Sequence, residues 1–127
     1  MVTFHLGCSF SFDSKLIGAG IDLPQEANIH MYQTNIKMNP VHPFHCNLVV
    51  SLRQIPPAQL LDAVTCTADL DYAHGAPIHI GDPQVIGVDL TALDILGGVA
   101  QVDTDKIPVF WACGVTSGYA VKNASKL

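Results

Sequence analysis

The densest group of chemistry-bearing residues is the stretch His74 to Pro83, HGAPIHIGDP. The imidazole of His79 can take or give a proton near neutral pH. Asp82 can orient it, or can serve as an acid if burial raises its pKa. Pro77 and Pro83 fix local φ, while Gly75 and Gly81 let the backbone turn sharply or approach a ligand closely. Such a mixture suits neither a plain helix nor a long strand and predicts a turn, a short strand and a second turn. The same residues also suit a simple connector in which Gly81-Asp82-Pro83 starts a helix and the histidines face solvent.

Three other places could bind or react. Gly7-Cys8-Ser9 lies between an apolar run and a helix-like segment, where free backbone N–H groups and a helix dipole would favour a substrate carboxylate or a developing oxyanion. Cys8 there, or Cys113 in the similar Cys113-Gly114-Val115-Thr116 junction, could act as a nucleophile; a small buried thiol is the plainer reading. Thr116 offers a second hydroxyl donor. Arg53, the only arginine in the chain, follows a run of apolar residues and could clamp a carboxylate in a bidentate fashion or form an ordinary ion pair. His42, His45 and Cys46 make an HxxHC cluster, but zinc wants three or four ligands and no paired motif follows. No metal and no cofactor are expected.

The elements that must position these residues follow from pattern. Val2 to Leu6 predicts a strand, and Ser9 or Ser11 could cap a helix that Gly20 ends. Ile29 to Lys37 alternates as a half-buried strand, and Cys46 to Leu52 reads as a fully buried one whose end Arg53 closes. The two prolines of MNPVHPFH predict a stiff, extended link between them. Pro56 and Pro57 open a helix with Leu60, Leu61 and Val64 on its core face. Pro83 to Val88 predicts one helical turn, and Asp89 to Leu96 a short helical or irregular piece ending at Gly97-Gly98. Val99 to Val102 and Pro108 to Cys113 predict strands, and Thr116 or Ser117 caps a last helix through Tyr119 to Lys126. The expected architecture is α/β, with a mixed α+β arrangement as the alternative: a mixed β-sheet with flanking helices in a single domain over 1–127.

Composition limits the partners. Charged residues make up 13% of the 127 residues, against roughly 25% for typical domains, which predicts surface buried against a homo-oligomer or a larger body. The net charge of −5 with six scattered lysines and arginines gives no basic patch and argues against nucleic acid. The most apolar uncharged run, Ile107 to Val121, is broken by Pro108, Gly114 and Gly118, so no membrane span is expected. Four cysteines without CxxC spacing read as reduced thiols.

The motifs FHLGCSFSFD at 4–13, MYQTNI at 31–36, LVVSLRQIP at 48–56, HGAPIHIGDP at 74–83 and PVFWACGVT at 108–116 resemble, in this order, those of the D-glutamate cyclase and hydro-lyase family. The resemblance implies a mixed α/β fold, a small amino-acid substrate, and loss of water from D-glutamate to give 5-oxo-D-proline. It implies too that the chain is part of a larger family domain, incomplete at both ends, in an intracellular setting that is mitochondrial or cytoplasmic. Asp13 stands where the family usually has Glu, Leu52 where Met is common, and Gln54 where Pro usually follows the arginine. For that chemistry His79 would be the base and Asp82 its orienter. Arg53 would hold a carboxylate, and Cys8, Ser9 and Thr116 would surround the oxyanion, with His74 and Gly81 completing the binding loop. The competing expectation is a fragment that keeps the motifs without turnover and serves in binding or assembly.

Overall fold

A computed structural model describes residues 10–21, 29–69 and 75–125. The predicted strand at Val2 to Leu6, together with Cys8, Ser9 and His74, lies outside the described residues. The apolar run after Cys46 forms β2 (Asn47–Ile55), which is buried from Leu48 through Arg53. It is a central strand of a four-stranded sheet of order β1-β2-β4-β3, with β1 (Met31–Lys37), β3 (His79–Ile80) and β4 (Ile107–Ala112), and both its faces are covered. Every strand pairing among the described residues is antiparallel. The expected mixed α/β architecture is present.

Alternation along the strands sorts the core into two layers. Tyr32, Leu48, Val50, Leu52 and Phe110 point to one face, where Ile86, Val88, Leu90 and Ala100 from the 83–100 segment cover them. Ile55, Val109 and Trp111 point to the other, against Leu16 and Ile21 and against Ala63. Leu16 belongs to α1 (Phe10–Gly18) and Ala63 to α2 (Leu60–Ala68). Gly20 ends α1 as the sequence predicts. Its φ of 88° lets the Ile21 and Gly20 N–H groups return to the Leu16 and Ile17 carbonyls, and Ile21 then packs beside Leu16.

Several local expectations need correction. Leu61 does not face the core: it is 76% exposed, and Ala63 and Thr67 are the buried residues of α2. The short 3₁₀ turn Pro57–Gln59 precedes the helix and sets its rotation, so Leu60, Ala63 and Thr67, at spacings of three and four, meet the sheet. Val99 to Val102 forms no strand, because the Gln54 side chain bonds the Gln101 carbonyl and the Asp103 N–H where a ladder would need a neighbouring backbone. Gln54 therefore tethers a loop, and the strand continues through it to Ile55. MNPVHPFH is no extended link but a tight turn closed by mutual Val41–Phe44 backbone bonds. The last helix, α3 (Val115–Ala124), has no side-chain cap.

Gly87 shows how closely the 83–100 segment fits β1. Its φ is 74° and an added Cβ would lie 3.1 Å from Asn35 Cβ. Gly87→Ala is expected to lower stability by about 1–2 kcal/mol, seen as a lower urea midpoint at unchanged slope.

Candidate active site

Arg53 lies within β2, not at its exit, and is only 3% exposed. It stands opposite Val109 and so faces the helical layer. Its Nε donates to Asp13 Oδ1 at 2.6 Å, its Nη1 donates to Ser51 Oγ at 2.7 Å, and its guanidinium carbon sits 5.3 Å from the Trp111 ring centre. Desolvated, paired and stacked, this arginine holds α1 onto the sheet. Trp111 extends the same polar seam by donating its indole N–H to Thr67 Oγ1 at 3.3 Å.

The HGAPIHIGDP loop takes the predicted form of turn, short strand and turn. Gly75 and Gly81 have φ of 67° and 103°, and the Gly81 N–H donates to the Pro108 carbonyl. His79 stands opposite Phe110, with the ring centres 6.0 Å apart, on the face away from Arg53. The sheet thus separates His79 from Arg53, and the two do not wall one pocket. Nor does the Asp82 carboxylate touch His79. The imidazole Nε2 lies 2.7 Å from the Asp82 main-chain carbonyl, whereas Asp82 Oδ1 accepts from the Gln84 N–H and caps the 3₁₀ turn Pro83–Ile86. Thr116 is also engaged: its hydroxyl accepts from the Val49 N–H and donates to the Cys113 carbonyl, continuing the ladder where β4 turns into α3.

A second imidazole, His30, faces a carboxylate. His30 Nδ1 lies 3.3 Å from Asp94 Oδ2, and the same oxygen accepts from the Met31 N–H at 3.1 Å. Asp94 Oδ1 accepts from the N–H groups of Leu96 and Gly98 at 3.0 and 2.9 Å. Burial alone would push the Asp94 carboxyl up; the Gly98, Met31 and Leu96 amides and His30 together outweigh that and hold it below the usual carboxylate range. The His30 side chain keeps 24% of its surface in solvent and that of Asp94 keeps 2%. Asp94, but not His30, also borders an open groove of about 280 Å³, together with Tyr32, Gln33, Asp89 and Leu93. Burial and then the Asp94 charge push the Tyr32 phenol up, so it stays neutral.

A family model described as D-glutamate cyclase matches residues 2–126. The chain belongs to the D-glutamate cyclase family. It is 48% identical over 130 residues to a Methylobacterium radiotolerans protein, a match that covers 100% of this chain and 48% of that one. A Shewanella woodyi protein is 44% identical over 126 residues, covering 97% and 47%. One from Verminephrobacter eiseniae is 50% identical over 119 residues, covering 91% and 43%. All three carry hydro-lyase names, qualified there as putative. The chain spans about half the length of the curated relatives it matches.

The His30–Asp94 contact joins two residues that the sequence reading did not single out. The only signal for Asp94 was the pair Gly97-Gly98 behind it, and His30 looked like the plain start of a strand. Cys46, Cys66 and Cys113 are free thiols. Burial pushes the thiols of Cys46 and Cys66 up, and Cys113 Sγ lies 3.3 Å from Met31 Sδ. Among the described residues no group of three His, Cys, Asp or Glu side chains is arranged to hold a metal.

Proposed function

We propose that this chain belongs to an enzyme that removes water from D-glutamate to give 5-oxo-D-proline. The observation that carries the reading is the D-glutamate cyclase match across residues 2–126. The reaction is balanced internally. The ammonium nitrogen gives up two protons, the C–N bond of the lactam forms at the γ-carboxyl carbon, one C–O bond breaks, and the departing oxygen gains two protons as it leaves as water. A single base that reaches both the nitrogen and the leaving oxygen therefore suffices, working as base and then as acid.

The test is direct. The purified chain incubated with D-glutamate is expected to form 5-oxo-D-proline, with little product from L-glutamate, resolved by chiral chromatography. Assayed alongside, the full-length Shewanella woodyi relative separates two failures. Product from the relative alone would favour a part without turnover of its own, and product from neither would overturn the reaction.

A further inference from the structure

We infer that the loop 94–98 and the apolar residues beside it form a docking surface for the portion of the family polypeptide that has no counterpart in this chain. The inference is independent of the dehydration reading.

Among the described residues, five of the twelve exposed large apolar side chains fall within positions 85–102: Val85, Leu93, Leu96, Val99 and Val102. Single exposed apolar residues are ordinary on a protein surface, whereas a cluster of them marks an interface. The fold explains the cluster. Ile86 and Ala100 turn to the sheet, and their sequence neighbours Val85 and Val99 stay exposed. The Asp94 N–H donates to the Gly98 carbonyl at 2.8 Å, which draws Leu93 and Val99 to the two sides of a closed loop and leaves Leu96 at its tip, 70% exposed.

The loop is also held in place. The Asp94 carboxylate accepts from the N–H groups of Met31, Leu96 and Gly98, and the Ile95 N–H donates to the Met31 carbonyl. Pinned to β1 in this way, the loop presents leucine at a fixed position, which lowers the ordering cost of docking against it.

Charge and length choose the occupant. Positions 83–102 carry two carboxylates, Asp89 and Asp94, and no lysine or arginine, and the net charge of the chain is −5. A second copy meeting this surface through a twofold axis would set like charges against each other, with no cation from either segment. The open groove bordered by Asp94 is also walled by Ala92, Leu93, Ile95 and Asp89. It suits an apolar side chain with a lysine or arginine near Asp89. The Methylobacterium radiotolerans and Shewanella woodyi relatives match 100% and 97% of this chain with only 48% and 47% of their own length. Each therefore has further chain with which to cover the surface.

The experiment puts p-benzoylphenylalanine in place of Leu96 in this chain, and at the aligned position of the full-length Shewanella woodyi relative. The photochemical cross-links are then mapped by mass spectrometry. In the relative the expected link is intramolecular and joins the loop to a peptide with no counterpart in this chain. This chain alone is expected to give at least about tenfold less covalent dimer than the relative gives intramolecular product, since tethering raises the effective concentration. A link between two copies of either protein at a comparable yield, a link confined to the shared part, or no link in the relative overturns the inference. The link map of the relative decides even if the chain alone aggregates. The double variant Leu93→Asp, Leu96→Asp of this chain checks that the surface is open. Its urea midpoint is expected to stay at the parent's, and the fluorescence of bound Nile red to fall at least about twofold as the apolar patch is lost. A lowered midpoint would mean that the two leucines pack within this chain, and that result or unchanged fluorescence also overturns the inference.

Discussion

Asp13→Ala is expected to lower the unfolding free energy by about 3–5 kcal/mol, the cost of removing one partner of a buried ion pair. Arg53 is 3% exposed and would keep Ser51 and Trp111 beside it, but the carboxylate at 2.6 Å that offsets its desolvation would be gone. The loss also loosens α1, which buries Leu16 against the sheet. Asp13→Glu keeps a carboxylate at the position where the family motif usually has one, and is expected to recover most of the stability. The double variant Asp13→Leu, Arg53→Met removes both charges together and should also recover much of it, since apolar replacement of a buried pair is often close to neutral. Urea unfolding of the three variants checks the order.

Asp94→Ala should cost about 2–4 kcal/mol, because it leaves three backbone N–H groups without their acceptor and each buried orphan costs on the order of 1–3 kcal/mol before the loop rehydrates. The acid behaviour has a definite sign. The Asp94 carboxyl is held below its ordinary value of 3.8 in the folded chain, so the unfolded chain takes up the proton first as pH falls. Its stabilising contribution is complete above that ordinary value and disappears as pH drops through the lower folded one. Stability measured between neutral pH and about pH 2 should therefore fall less steeply in Asp94→Ala than in the parent. Parallel acid limbs would remove Asp94 as the group responsible.

Much of the frame was readable from the residues because local pattern and tertiary demand agreed. A run such as CNLVVSL has little place outside a covered strand, and PVFWAC supplies the other central one. Gly20, Gly75 and Gly81 all fall where the backbone turns left-handed. Depth and sidedness were harder to read. Alternation says that Arg53 and Ser51 share a face of β2, but not that Asp13 waits on that face from forty residues away. Leu61 looked like a core residue because the helical period fixes a stripe only after the entry turn has set its rotation. The His30–Asp94 pair joins residues 64 apart, one before a strand and the other in a segment with no period at all. Only folding brings them together.

Register also decides how the two imidazoles relate. The Leu52 N–H donates to the His30 carbonyl, Leu52 stands opposite Phe110, and Phe110 stands opposite His79. The histidines thus close the two ends of one cross-strand row, three strand spacings or about 14 Å apart.

The interrupted register of β1 bears on how copies of the chain meet. Its pairing with β2 shifts between Gln33 and Lys37, Lys37 is exposed, and Pro40 follows shortly, while β3 at the far side is two residues long. An irregular, charged strand and a very short one make poor templates for adding a foreign strand. Among the described residues, growth of the sheet by edge-to-edge pairing is thereby discouraged at both of its margins.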